Sequence, residues 1–178
     1  MKKFIALLRG INVSGQKKIK MSDLKLLFEE MGFKDVQTYI QSGNVIFSSK
    51  EISVDKLELK ISSSIKRKCG FDVRVIILSA KEIEYVLKNN PFFKKRKDED
   101  KLYVTFLSKI PSDENIENMH SIDYSPEEYF IEEKHLYLFV PNGYGKARIN
   151  NNLFENKLKV DGTTRNWKTV KALSELAK

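Results

Sequence analysis

Predicted elements in the first half of this chain run β-α-β-β-α-β, and the second half repeats that order more loosely. The sequence therefore predicts an α+β fold: two ferredoxin-like (βαββαβ) α/β-plait lobes with mainly antiparallel sheets. Three observations carry this expectation. Apolar runs of strand length alternate with amphipathic segments of helical period, and glycine-rich or charged breaks separate the two kinds.

Lys3 to Leu8 is a short apolar run that stops at the turn-rich Gly10-Ile11-Asn12-Val13-Ser14-Gly15, and it reads as a buried strand. A helix follows, with Ser22 as its expected N-cap, Leu24, Leu27, Phe28 and Met31 at helical spacing, and Gly32 as its stop. Val36 to Ile40 and Asn44 to Ser48 read as two strands around a Gln41-Ser42-Gly43 turn. Val54, Leu57, Ile61, Ile65 and Cys69 mark a second amphipathic helix ending at Gly70, before a strand over Asp72 to Leu78.

Ser79 to Asn89 reads as a connecting helix. Lys94 to Asp100, charged throughout, reads as a linker. The expected division is residues 1–93, a linker over 94–100, and residues 101–178. In the second lobe, Lys101 to Leu107 is a strand, Asp113 to Met119 a weak helix, and Glu128 to Glu132 with Leu136 to Val140 a hairpin around Glu133-Lys134-His135. Ile149, Leu153 and Leu158 suggest another helix, Val160 to Thr163 a short strand, and Trp167, Val170, Leu173 and Leu176 a C-terminal helix.

Composition narrows the functional classes. A 41% hydrophobic and 31% charged chain is ordinary for a globular protein, and its apolar runs fall far short of a membrane span. With Met1-Lys2-Lys3 leading straight into a strand, a cytoplasmic location is expected. A single cysteine, Cys69, excludes an internal disulfide and cysteine-rich metal sites. The net charge of +8 is concentrated in residues 1–90, which carry 17 basic and 10 acidic side chains. A basic face invites polyanions only when its charges cluster in space, and the lysine-rich composition dilutes the signal.

Up-and-down tracing of a βαββαβ unit places the exit of the first strand, the hairpin, and the lead into the fourth strand at one end of the sheet. The loop after Arg9 is thereby expected beside Ser42, Gly43 and Asn44, with Lys66-Arg67-Lys68 nearby. In the second lobe the same tracing gathers Tyr144, Lys146, Arg148, Arg165 and Asn166 on a rim. Arginine offers a planar donor fork suited to phosphate or carboxylate, and three of the six arginines fall in or beside these loops.

Gly10 and Gly15, with four residues between them and Gln16-Lys17 after them, resemble a phosphate-binding loop but miss its pattern. Lysine does not follow the second glycine directly, and no hydroxyl residue comes after it. Gly143-Tyr144-Gly145-Lys146 is a turn carrying a cation. His120 and His135 lack partners at ligand spacing and read as surface residues, so no metal or cofactor is expected. Cys69 sits on an apolar helix face and reads as core. No nucleophile elbow and no close carboxylate pair is present. Phe4, Val45 and Phe47 read as strand core rather than a base-stacking platform.

Ala6-Leu7-Leu8-Arg9-Gly10-Ile11-Asn12-Val13 resembles a block of a widespread bacterial family, domain of unknown function sixteen ninety-seven. Three further blocks extend the resemblance along the chain: Thr38 to Phe47, Asn90-Pro91-Phe92, and Thr163-Thr164-Arg165-Asn166-Trp167. The family usually carries Gly where Ser14 stands. The resemblance implies two ferredoxin-like halves and no particular reaction, cofactor or catalytic residue.

The leading functional expectation is a binding protein for an anionic ligand, a nucleotide-like small molecule or a nucleic-acid segment. Arg9, Gly10, Asn12, Gly15, Ser42, Gly43, Asn44, Lys146, Arg165 and Asn166 are the candidate ligand-binding residues. One alternative is a metal-independent enzyme acting on a phosphorylated or carboxylated small molecule, using the same groups to stabilise a developing oxyanion. Another is a protein-interaction or assembly module.

Overall fold

A computed structural model describes residues 1–95 and 98–178. It divides into two compact units: Met1–Glu84 together with Leu173–Lys178, and Tyr85–Ala172.

In the first unit, strands β1 (Lys2–Leu8), β2 (Lys34–Tyr39), β3 (Asn44–Ser49) and β4 (Val75–Ser79) form an antiparallel sheet in the order β2-β3-β1-β4. This is the ferredoxin-like arrangement, with the first and third strands central. Helices α1 (Met21–Glu30) and α2 (Val54–Cys69) supply Leu24, Leu27, Phe28, Leu57, Ile61 and Ile65 to a core with Phe4, Ala6, Leu8, Val45, Phe47 and Ile77. Its centre is aromatic: the Phe33 and Phe47 rings lie 4.5 Å apart, and Phe28 meets Phe47 edge-on at 5.4 Å. Cys69 packs against this core, and burial pushes its thiol pKa up, as expected of a structural cysteine.

The ends of α2 follow from its sequence. Ser53 accepts a hydrogen bond from the Lys56 amide at the start, and Gly70, at φ +80°, donates its N–H to the Lys66 carbonyl at the end. The start of α1 differs from expectation. Lys20, not Ser22, is the N-cap residue, no side chain caps it, and the Ser22 hydroxyl bonds Asp23 instead.

The second unit repeats the plan. Strands β5 (Leu102–Leu107), β6 (Glu128–Glu132), β7 (His135–Phe139) and β8 (Gly162–Asn166) pair antiparallel in the order β6-β7-β5-β8. Helices α5 (Asp113–His120) and α6 (Asn151–Leu158) cover one face, packing Met119, Phe154 and Leu158 with Leu107, Leu136 and Leu138. Helix α3 (Ala80–Asn89) is followed by a short α4 (Pro91–Lys95), and α7 (Trp167–Leu176) ends the chain. Asn90 starts α4 by accepting bonds from the Phe92 and Phe93 amides.

Three expectations need correction. The last strand is Gly162–Asn166 rather than Val160 to Thr163, so Arg165 lies within a strand and not in a loop. His135 is also in a strand and is only 5% exposed, against the surface position expected. The segment 94–100 is not loop throughout, because α4 runs into it and Glu99–Lys101 form a 3-10 turn; residues 96 and 97 lie outside the described residues.

Among the described residues no helix is long and apolar enough to cross a membrane.

Candidate functional site

The loop leaving β1 is a miniature hairpin. The Gln16 amide donates to the Val13 carbonyl at 2.9 Å, and the Asn12 amide to the Lys17 carbonyl at 3.2 Å. Ser14 and Gly15 are the two central residues, at φ +50° and +75°, as a type I′ turn requires. Glycine would adopt this conformation at position 14 more readily than serine. The loop thus spends two of its amides on its own turn instead of wrapping an anion with all of them.

Asn12 ties this hairpin down. Its side-chain amide donates to the carbonyls of Ile19 (2.9 Å) and Gln41 (3.0 Å), and its Oδ1 accepts the Ile19 N–H. Asn44 does the same for the turn between β2 and β3. Fully buried, it donates to the Tyr39 carbonyl and the Ser42 hydroxyl, both at 3.0 Å. The Leu8 N–H donates to the Gly43 carbonyl at 2.8 Å, which brings this turn against the end of β1. Topological tracing therefore correctly places Ser42, Gly43 and Asn44 beside the Arg9 loop, where Asn12 and Asn44 brace the backbone.

Arg9 and Gly10 face a different partner. A groove of about 990 Å³ is lined by Arg9, Gly10 and Lys17 from the β1 exit, Arg74 from the lead into β4, and Asp55 and Glu58 from α2. The Arg9 N–H donates to the Arg74 carbonyl at 2.9 Å, so both arginines leave the backbone at one point. Lys17 reaches across to the Asp72 carbonyl at 2.7 Å, while the Asp72 carboxylate lies 3.0 Å from the Lys66 ammonium. Asn12, Gly15, Ser42, Gly43 and Asn44 do not line this groove. Lys17 stands in the segment compared above with a phosphate-binding loop, but Arg74, Asp55 and Glu58 have no sequence signal, since no local motif joins α2 to the residues before β4.

The second-unit candidates have separate settings. Arg165 is buried in β8, and its guanidinium donates to the Thr163 hydroxyl (2.8 Å) and the Thr164 carbonyl (2.9 Å). Burial pulls its pKa down to about 10. Asn166 caps α7, accepting from the Thr169 amide at 2.8 Å. Lys146 is exposed on a 3-10 turn over Tyr144–Lys146. That turn is held by the Tyr144 hydroxyl, which donates to Thr164 Oγ1 at 3.0 Å; Thr164 in turn donates to Asn151 Oδ1 and contacts the Thr105 hydroxyl. Lys146, Arg165 and Asn166 serve distinct local structures.

Among the described residues no group of three or more His, Cys, Asp or Glu side chains gathers in a metal-binding arrangement. His120 lies with its Nδ1 3.1 Å from the Tyr129 hydroxyl, and burial pushes the Tyr129 pKa up to about 12.

The solved structure of the conserved bacterial protein SP0830 from Streptococcus pneumoniae is similar to the chain over 99% of both lengths, with a TM-score of 0.78 at 24% sequence identity. That likeness shows the fold. No curated protein matches the chain. The model of the family described as "Protein of unknown function (DUF1697)" matches residues 1–137, from β1 into β7, and the chain belongs to that family.

Proposed function

We propose that the chain binds an anionic small molecule in the groove beside Arg9. The observation that supports this reading is that Arg9, Lys17 and Arg74 line one groove together with Gly10. Two guanidinium groups can present planar donor pairs to a phosphate or carboxylate, and the exposed Lys17 adds a point charge. The groove's volume suits a nucleotide-sized ligand. In this reading Asn12, Gly15, Ser42, Gly43 and Asn44 serve the site by holding the two turns that fix where Arg9 leaves the sheet.

The test is calorimetric titration of ADP, inorganic pyrophosphate and a short oligonucleotide into wild type, Arg9→Lys and Arg9→Ala, with a melting curve for each protein. Arg9→Lys should weaken binding and Arg9→Ala should abolish it, both with little change in melting temperature, and added salt should weaken the wild type. A saturating ligand at a hundred times its Kd should raise wild-type stability by about 2.7 kcal/mol. If Arg9→Ala instead lowers the melting temperature and leaves affinity unchanged, Arg9 is a loop brace and the reading fails.

A further inference from the structure

Among the described residues the two sheets have four edge strands, and an edge offers its outward N–H and C=O groups to any chain that can reach them. Three of the four carry a device that blunts this. The outward Ile77 N–H of β4 is taken by Glu58 Oε1, and the outward Gly162 N–H of β8 by Glu155 Oε1, both at 3.0 Å. Strand β2 breaks its register with β3 between Lys34 and Gln37, where Asp35 has a left-handed φ of +51°.

The fourth edge, β6, is regular. Its five residues, Glu128 to Glu132, pair with β7 in one unbroken register. The Leu107 N–H donates to the Lys134 carbonyl, so Lys134, Leu136 and Leu138 turn their main-chain groups toward β5, and His135, Tyr137 and Phe139 turn theirs toward β6. Glu132, Phe130 and Glu128 are the β6 residues bonded in return. Tyr129 and Ile131 therefore point N–H and C=O away from the sheet, and neither amide has a partner among the described residues.

Open space lies along this edge. A cavity of about 370 Å³ is lined by both Tyr129 and Phe130, whose side chains leave opposite faces of the sheet, so the cavity wraps the rim of the strand. Phe92 of α4 and Ile122 and Tyr124, which follow α5, supply its apolar walls. Tyr124 is only 6% exposed, and its hydroxyl has no hydrogen-bond partner among the described residues, a buried polar group that an added chain would satisfy. Phe130, at 46% exposure, gives the edge an apolar centre.

Charge selects the occupant. Residues 121–133 hold five acidic side chains and no lysine or arginine, in a chain of net charge +8, and Lys95 is the one lysine or arginine among the described residues that line the cavity. Two copies joined through this edge by a two-fold axis would set the acidic stretch against itself, and like charges across a strand pair are destabilising. A basic strand meets attraction there instead. We propose that β6 is a docking edge for a basic extended peptide. The peptide adds as a fifth strand through the main chain of Tyr129 and Ile131, sets an apolar residue against Phe130, and carries lysine or arginine two residues to either side of it.

The probe is the acetylated, amidated heptapeptide Thr-Lys-Thr-Val-Thr-Lys-Thr, titrated at low salt into ¹⁵N-labelled full-length protein beside a counterpart with glutamate at both lysines. The lysine peptide should bind at least tenfold more tightly, and should slow solvent exchange of the Tyr129 and Ile131 amides at least tenfold while leaving the Phe130 amide, already bonded to β7, unchanged. Successive amides point to opposite sides of a strand. Of two further peptides, one N-methylated at Lys, Val and Lys and the other at the two threonines that flank Val, one should therefore bind like the parent and the other fail. Phe130→Lys, at an exposed position, should weaken the lysine peptide at least tenfold in a protein whose amide spectrum shows it folded. Equal affinity for the lysine and glutamate peptides overturns the proposal, as does an equal effect of the two methylation patterns or no added protection at Tyr129 and Ile131. A dimer in sedimentation that Phe130→Lys dissociates also overturns it, since the edge then serves a second copy of this chain.

Discussion

At Gly43 two constraints coincide: the backbone is left-handed, with φ +77°, and an added Cβ would lie 2.7 Å from Ile11 Cδ1 and 2.9 Å from Leu8 Cβ. Gly10 has a similar φ of +69° but open space around it. Gly43→Ala should therefore cost about 2–4 kcal/mol, from backbone strain plus overpacking, and Gly10→Ala only about 1 kcal/mol. Urea unfolding of the two variants measures both, and equal losses would show that the contact with Ile11 and Leu8 is easily relieved. Tyr137 supplies a second residue-level test. Its hydroxyl is buried, and burial, with Glu132 and Tyr85 nearby, pushes its ionisation well above the ordinary pKa of 10.0. The unfolded chain ionises this phenol near that value and the folded chain only beyond it. Stability held by the neutral phenol is thus complete below pH 10 and lost as pH rises past it. Tyr137→Phe should leave stability near pH 7 little changed and flatten its decline above pH 10; an unchanged alkaline slope counts against this account.

At the scale of elements, the two units share backbone devices that their sequences do not advertise. Leu8 N–H bonds the Gly43 carbonyl and Arg9 N–H the Arg74 carbonyl; in the second unit Leu107 bonds Lys134 and Ser108 bonds Asp161. One edge strand of each sheet, β4 or β8, also has an N–H capped by a glutamate from the neighbouring helix: Glu58 on Ile77 and Glu155 on Gly162, both at 3.0 Å. An edge strand presents unpaired amides, and a carboxylate laid across one satisfies it and blunts pairing with another chain. Glu155→Ala should cost about 1–3 kcal/mol by orphaning the Gly162 N–H, while Glu155→Gln keeps most of the stability. Thermal melts decide this, and identical losses for the two substitutions would mean that the carboxylate's charge, not its acceptor, matters. Helix α2 was legible because Ser53, the apolar period and Gly70 agree. Strand β8 was misplaced because Thr163, Thr164, Arg165 and Asn166 are polar. Threonine suits a strand, but Arg165 is buried there only through the pairing of β8 with β5.

For the whole molecule, the division into chain segments is the open structural proposal. Contacts group Met1–Glu84 with the last six residues, whereas composition points to a linker at residues 94–100, where every side chain is charged. Brief trypsin treatment should cut first within 94–100 and leave the residues on either side as two protected fragments, as mass spectrometry of the products would show. Early cleavage inside Gln37 to Ser48, with 94–100 intact, would refute that division.

By itself the sequence determined the α+β class, the repeated βαββαβ order and the apolar faces that build each sheet, because periods of 2 and 3.6 are written locally in the chain. The same tracing put Ser42, Gly43 and Asn44 beside the Arg9 loop, since topology alone dictates which strand ends share an edge. The composition of the candidate groove was decided only in three dimensions. Arg9, Arg74 and the α2 carboxylates Asp55 and Glu58 come from three separate stretches of sequence and line one groove because α2 packs alongside the edge strand β4. The roles of Asn12 and Asn44 were decided there too: which carbonyls their amides reach depends on turns closing against one another, and no spacing rule encodes that.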